Sequence, residues 1–147
     1  MRISNLPIPG ISLMLLGVFS MLAGFGFLAT TTQPLQLDLN FEVVDTPATR
    51  QIGLSNRDSL GNDQAMLFVF DEDDKHGIWM KDMRFSLDIV WLDSDREIVT
   101  IRENVSPSTF PEAFRPDKDS RYVIELNAGD AQKHDLEVGD QLTLPVL

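Results

Sequence analysis

One stretch, from Ala65 to Asp93, constrains the fold of this chain more than any other. It contains three short apolar runs, each bounded by charged or turn-forming residues, at positions 66–70, 78–80 and 87–92. Short apolar runs that are rich in aromatic and β-branched residues are typical of buried strands. A strand that is apolar on both sides must be covered on both faces, so the stretch predicts the centre of a small barrel or sandwich.

The rest of the chain predicts a mainly β (α+β) domain, a small β-barrel-like domain of about six or seven strands with two short helices. Apolar and polar residues alternate from position 35 to position 43, which indicates one strand with a wet face. Thr46 is a good N-cap and Pro47 suits the first helical position, so a short helix is expected over 48–52. The other expected elements are strands at 97–102, 121–126 and 141–146, a helix at 131–135, and a long proline-containing loop at 103–120.

The N-terminal part has a different character. Residues 11–29, ISLMLLGVFSMLAGFGFLA, carry no charge, and Arg2 and the amino terminus are the basic groups that precede them. A run of this length matches a bilayer-spanning helix or a long signal peptide, and it suits lipid better than the core of so small a domain. The run lacks a clean Ala-x-Ala cleavage site, which favours an anchor.

These observations divide the chain into two parts. We expect a membrane anchor or signal segment plus linker over residues 1–34 and one domain over residues 35–147. The flanking basic residue lies before the apolar run, which places the N-terminus inside and the main domain outside the cytoplasm, in the periplasm or beyond. The N-terminal helix would then make the membrane one partner of this protein.

Composition excludes several classes of function. The net charge is −11, whereas nucleic-acid binding needs a basic surface, so we expect no nucleic-acid partner. The chain has no cysteine, which excludes disulfides, thiol nucleophiles and thiolate metal sites. No Walker loop, GxGxxG, HExxH or glycine-flanked serine motif is present, and we expect no cofactor.

Polar residues inside the apolar stretch indicate a candidate ligand-binding site. Trp79, Lys81 and Asp88, with Arg50 nearby, would form a groove with aromatic walls and one charge pair, a composition that suits a small molecule or a peptide. The structural alternative is that Lys81 and Asp88 form a partly buried ion pair that fixes strand register. We expect that such a pair would make Asp88→Asn destabilising.

Three further side-chain sets offer weaker alternatives. His76, Met80 and Met83 are soft ligands that would suit Cu(I) in a periplasmic copper-binding protein. Asp88 or His76 could serve a hydrolase as acid or base, although nothing in the sequence fixes their geometry. The acidic run at 71–74 fits a solvated loop between two strands better than a calcium loop, because a lysine follows where an oxygen ligand is needed.

Several segments, taken in order, resemble a known family. They are FEVVDTP at 41–47, MLFVFD at 66–71, WMK at 79–81, LDIVWLD at 87–93 and ELNAG at 125–129, and they resemble the domain-of-unknown-function family 192. The departures are mild: Ile78 precedes the tryptophan and Ala65 precedes the methionine. The resemblance implies a compact β-barrel-like domain, often secreted or membrane-anchored in prokaryotes. It implies no agreed activity, substrate or catalytic residue, so no catalytic role is assigned.

Together these features predict a non-enzymatic binding or accessory module of the cell envelope. Its ligand would be a small molecule, a peptide or another protein. The alternatives are a hydrolase and a soft-metal carrier.

Overall fold

The computed structural model describes residues 33–145, and their fold is mainly β with few, short helices, as the sequence predicts. The strands are β1 (Leu35–Gln36), β2 (Asn40–Val44), β3 (Gln64–Asp74), β4 (Ile78–Trp79), β5 (Leu87–Leu92), β6 (Ile98–Val105), β7 (Ala113–Phe114), β8 (Ser120–Asn127) and β9 (Leu142–Thr143). The helices are α1 (Pro47–Ile52) and α2 (Asp130–Lys133), with a 3₁₀ turn at Pro107–Thr109.

The expected membrane segment at 11–29 lies outside the described residues. Within residues 33–145, no helix is long and apolar enough to cross a bilayer. The anchor and the boundary between residues 34 and 35 therefore stay predictions.

The main sheet has five strands in the order β2-β3-β8-β5-β6. The pair β2–β3 is parallel and the other neighbours are antiparallel. Two small ladders, β1–β9 and β4–β7, stand apart from this sheet. Within the described residues, β2 and β6 are the edge strands of the main sheet and do not pair with each other, so the predicted closure into a barrel is wrong.

The sheet is nevertheless apolar on both sides, which is why closure looked plausible. Successive side chains of a strand point to opposite faces. We call face A the side on which Ile89 and Trp91 lie, and face B the side on which Val90 and Leu92 lie; each face carries its own buried core. The covering comes from short helices, loops and ladders instead of from the sheet closing on itself.

Each face has a different cover. Helix α2 packs over face B and contributes the buried Ala131. The chain after α1 covers part of face A with Leu54 and Leu60, and the ladder residue Ile78 joins the same core. The pocket described below lies in this less regular cover of face A.

The predicted first strand is split in two. β1 pairs in parallel with β9, whereas β2 pairs in parallel with β3. The predicted pattern of exposure also fails at the end of β2, where Val43 is exposed and Val44 is buried. Phe41 packs against the core of face B, whereas Val44 belongs to the core of face A.

The acidic run does not form a loop. β3 continues through it to Asp74, which pairs with Ser120 after an irregularity in the ladder. Asp73 forms an ion pair with Arg121 of β8, with 2.6 Å between carboxylate and guanidinium. Cations on neighbouring elements thus let a string of carboxylates remain in a strand, which the run alone could not reveal.

The first helix begins as predicted. Thr46 is the N-cap of α1, Pro47 follows it, and Thr46 and Thr49 form a reciprocal capping box. The second helix is shorter than expected and starts after Gly129, whose φ of 92° lies in the left-handed region. The last strand is also shorter than expected: β9 is Leu142–Thr143, and Gln141 before it forms an isolated bridge to Glu97.

Candidate functional site

A pocket of about 260 Å³ opens over face A between α1 and β4. Helix α1 and the turn after it form one wall, β4 and its flanks form another, and side chains of β3 and β8 lie beneath. The lining residues are Pro47, Arg50, Gln51, Ile52, Gly53, Leu54, Ser55, Phe68, Phe70, Gly77, Ile78, Trp79, Met83 and Glu125.

Exposed apolar side chains lie at this pocket. Trp79 keeps 46% of its surface exposed and Ile52 keeps 64%. The ring of Phe110, itself exposed, meets Trp79 edge-on at 6.1 Å between centroids. An indole that stays exposed between two short elements is available for contact with a ligand.

Arg50 lies in the pocket wall, but its guanidinium is already held. Nη1 donates to the main-chain carbonyls of Asp45 and Val69, and Nη2 lies 3.7 Å from the Asp71 carboxylate. The guanidinium also sits over the Phe70 ring, 4.9 Å from its centroid. This side chain ties α1 to β3, so it builds the wall of the pocket.

The most deeply buried polar residue of the lining is Glu125 of β8. Its cross-strand neighbours are Met66 of β3 and Ile89 of β5, both in the core of face A. The side chain is 5% exposed, and Oε2 has no hydrogen-bond partner among the described residues. A carboxyl group that is buried without a partner is costly and calls for an explanation.

Burial raises the pKa of Glu125 to about 8, and the nearby positive charge of Arg57 opposes this rise only in part. The carboxyl is therefore mainly protonated at neutral pH in the empty pocket. Arg57 itself donates two hydrogen bonds of 2.7 Å to the Glu42 carboxylate. The hydrogen bond from Arg57 lowers the pKa of Glu42.

Asp88, the sequence-predicted site carboxylate, lies on the opposite face. It is fully buried; Oδ1 accepts from Asn104 N–H at 2.8 Å, and Oδ2 accepts from Gly129 and Ala131 N–H at 2.9 Å each. The carboxylate thus joins β5, β6 and the start of α2. It has a structural role, and it does not line the pocket.

The predicted pair between Lys81 and Asp88 does not form. Lys81 is exposed, and its Nζ lies 5.8 Å from the centroid of the Trp79 ring. The hydrogen-bond donors to Asp88 are main-chain N–H groups of residues that are distant in the sequence. A search for partners close in the sequence could not identify them. Of the four predicted binding residues, Arg50 and Trp79 line the pocket, Lys81 lies beside Trp79, and Asp88 does not contribute.

The three residues of the alternative copper site, His76, Met80 and Met83, have different structural roles. Met80 is buried in the core of face A, and Met83 packs against that core and lines the pocket. His76 stacks on Phe70 with 3.6 Å between ring centroids, and its Nε2 lies 2.9 Å from the carbonyl oxygen of Glu72. Of the two residues of the hydrolase alternative, Asp88 is enclosed by its N–H donors on face B, and His76 is stacked on Phe70.

The sequence does carry a signal for Glu125, although the sequence-based prediction of the site did not include this residue. Glu125 interrupts the apolar strand 123–126 in the same way as Asp88 interrupts β5. Each of these carboxylates, because it lies in an apolar strand, needs a partner or a role.

A comparison with protein-family models shows the family of this chain. The model of DUF192, described as uncharacterized ACR, matches residues 28–144. No curated protein matches. A crystal structure from Sinorhizobium meliloti, described as a candidate transcription regulator, is 34% identical, with a TM-score of 0.67 over 70% of this chain and 79% of that chain.

A second solved structure, a protein of unknown function from Novosphingobium aromaticivorans, is 26% identical. Its TM-score is 0.68, and the match covers 72% of this chain and 75% of that chain. The fold of this chain thus recurs in these two bacterial proteins. With the family model covering most of the sequence, the chain belongs to the DUF192 family of uncharacterized proteins.

Proposed function

We propose that this protein is a non-enzymatic binding module of the cell envelope. Its pocket over Glu125 would take a small molecule, or one side chain of a peptide or protein, that has an apolar body. The observation that carries this proposal is the combination of an exposed Trp79 beside the pocket with a buried carboxyl within it. Pockets with apolar walls and few polar groups are the usual form of ligand sites.

The size of the pocket limits the ligand. A volume of about 260 Å³ lies just below the range of roughly 300–1,000 Å³ that is typical of small-molecule sites. The occupant is therefore expected to be no larger than one aromatic ring with a short substituent. Phe68, Phe70 and Trp79 offer ring faces and edges against which such a group would pack.

The polar residues of the lining favour binding over catalysis. The hydroxyl of Ser55 donates to the carbonyl of Lys81 at 2.9 Å, so it ties two loops together. Arg50 is held by two carbonyls and Asp71. The lining thus supplies one uncommitted carboxyl, Glu125, whereas nucleophilic catalysis needs a nucleophile with an adjacent base.

The description of the Sinorhizobium meliloti protein as a candidate transcription regulator has little bearing on this chain. A net charge of −11 repels the phosphate backbone, and contact with DNA would need clustered lysine and arginine residues. A regulatory role through ligand sensing would still be compatible with the pocket.

We place the module outside the cytoplasm, anchored through residues 11–29, because of the uncharged run and the basic residue before it. The test is protease treatment of intact spheroplasts that express the full chain. Digestion of the C-terminal domain before lysis is expected. Protection until lysis would contradict the location without affecting the pocket.

The pocket is tested with 2-phenylethanol as a neutral probe and 5-fluorotryptophan in the full-length protein. The two tryptophans give separate ¹⁹F resonances, one from Trp79 at the pocket and one from Trp91 in the core. The probe is expected to shift the Trp79 resonance in a saturable way and to leave that of Trp91 nearly unchanged.

A matched pair of variants locates the effect. Ile52→Ala removes an exposed side chain of the lining, whereas Val138→Ala removes one that is equally exposed, at 63%, and lies elsewhere. Ile52→Ala should weaken binding roughly threefold through lost apolar contact, and Val138→Ala should not. A Trp79 resonance that does not respond to the probe, or equal effects of the two variants, would contradict the proposal.

A further inference from the structure

We infer that the pocket selects a monocationic ligand, in which a primary ammonium group on an apolar or aromatic stem donates hydrogen bonds to the Glu125 carboxylate. This inference rests on the proposed function and names the ligand class of the same site. It assigns Glu125 as the residue that determines specificity.

The first observation is the buried carboxyl without a partner. Glu125 lies between Met66 and Ile89 on face A and lines the pocket, and its Oε2 makes no hydrogen bond among the described residues. Natural proteins rarely leave a buried polar atom unpaired, and such atoms commonly await a ligand or a water. A donor on the ligand would satisfy this oxygen.

The second observation is that the neighbouring cations are already committed. Arg57 is paired with Glu42 through two hydrogen bonds, and Arg50 is held by two carbonyls and Asp71. Neither arginine donates to Glu125. Once Glu125 is ionised, the uncommitted charge in the pocket is therefore negative, which favours a cation over an anion of the same shape.

The third observation is the aromatic character of the walls. Phe68, Phe70 and Trp79 line the space beside Glu125. Aromatic rings attract cations through their negative faces and also pack against an apolar stem. The protein already uses both ring types in this way, since Arg50 lies over Phe70 and Lys81 lies over Trp79.

Binding of an ammonium group would release a proton. The free carboxyl holds its proton near neutral pH, and the bound ammonium needs the ionised form, so one proton passes to solvent as the ligand enters. The charged groups near Glu125 are Arg57 in the loop after α1 and Arg50 in α1, whereas β3 and β5 present the apolar Met66 and Ile89. Glu125 is thus the group whose titration would control affinity.

The experiment compares 2-phenylethylammonium, 2-phenylethanol and 3-phenylpropionate on the full-length protein, with the Trp79 ¹⁹F resonance as readout. At about pH 9 the ammonium probe should bind at least about tenfold more tightly than the alcohol, because charge-assisted hydrogen bonds are stronger than neutral ones. The carboxylate probe should bind more weakly than the alcohol.

The pH dependence follows from the raised pKa of Glu125. With a pKa of about 8, the ionised fraction and hence the affinity for the ammonium probe should fall about 30-fold between about pH 9 and about pH 6.5. The alcohol should show little change over the same range.

Glu125→Gln should remove both the preference for ammonium and its pH dependence. Glu125→Met serves as a second variant, and thermal unfolding reports whether each variant is folded. Equal binding of ammonium and alcohol to the natural protein, tighter binding of 3-phenylpropionate, or a preference that survives in Glu125→Gln would overturn this inference alone. Absence of any Trp79 shift with all three probes would overturn the proposed function as well.

Discussion

Two carboxylates are buried in neighbouring strands of one sheet, and they have opposite surroundings. Asp88 of β5 lies on face B and accepts three main-chain hydrogen bonds, two of them from the start of α2. Glu125 of β8 lies on face A, where Oε2 accepts none and a pocket adjoins the side chain. The difference lies in the cover of each face, since the two carboxylates share chemistry, burial and sheet.

The two carboxyl groups show that a buried carboxyl can serve the fold or serve a site. A buried charge whose hydrogen bonds are complete contributes to the fold, and removing its acceptor atoms leaves N–H groups unpaired. A buried carboxyl without a partner costs free energy in the empty protein and is retained where it serves a site. Face B is closed by a helix whose N–H groups meet the carboxylate, whereas face A keeps an opening in its loops.

The largest effect is expected for Asp88→Asn. The amide places a donor where the carboxylate accepts, so at least one of the N–H groups of Asn104, Gly129 and Ala131 loses its partner. The free energy of unfolding should fall by about 3–5 kcal/mol. Urea denaturation measures this, with the exposed Asp38→Asn as control. A loss no larger than that of the control would contradict the structural role of Asp88.

The second effect has the opposite sign. The pKa of Glu125 is raised above its usual value to about 8, so the folded protein binds more protons than the unfolded chain between these values. The stability contributed by the protonated form is fully present below the ordinary pKa of glutamate and is lost as pH rises through about 8.

Glu125→Gln removes this loss. At about pH 9 the variant should be more stable than the natural protein by about 2–4 kcal/mol, and near pH 5 the two should be almost equal. Urea denaturation at both pH values decides, with Glu137→Gln, an exposed site, as control. A variant that is destabilised at about pH 9 would show that Glu125 has a partner in the fold.

A smaller effect concerns Arg57, whose positive charge lowers the pKa of Glu125 while its guanidinium pairs with Glu42. Arg57→Met should cost about 0.5–1 kcal/mol of stability, since the pair is partly exposed. The substitution should also raise the pKa of Glu125, because the positive charge of Arg57 is lost. Arg84→Met, which removes the exposed pair with Asp58, is the matched control and should leave that pKa unchanged. A lower pKa of Glu125 in Arg57→Met would contradict the proposed effect of the Arg57 charge on Glu125.

The smallest effect is expected for Lys81→Met. Lys81 is exposed and lies over Trp79, so its loss should change stability by less than about 0.5 kcal/mol. In the cycle with Asp88→Asn, the coupling should be within about 0.3–0.5 kcal/mol of zero. A coupling above about 1 kcal/mol would restore the ion pair that the sequence suggested.

The sequence predicts the centre of the fold well because local pattern determines it. The continuous apolar run of β5 and the apolar strand β8 are both central, and the capping residues Thr46 and Pro47 begin α1 where expected. Such features depend on neighbours in the sequence. The split of the first strand and the extension of β3 through acidic residues depend on partners such as Ser120 and Arg121, which are distant in the chain.

The site was predictable in part for the same reason. Trp79 and Arg50 stand out by residue type, and both line the pocket. Asp88 and Glu125 give the same signal, a carboxylate within an apolar strand. Which of them meets N–H donors and which meets a pocket is decided by the cover of each face. That cover is assembled from α1, α2 and loops whose packing no local pattern specifies.

The most direct test of this account is a pH titration of the Glu125 carboxyl carbon by ¹³C NMR in the full-length protein without ligand. Glu125→Gln identifies the resonance by its disappearance. We predict a midpoint of about 8, because the carboxyl is buried on face A without a hydrogen-bond partner at Oε2. A midpoint near the ordinary value for glutamate would mean that the carboxylate is solvated or paired, and the contrast with Asp88 would not hold.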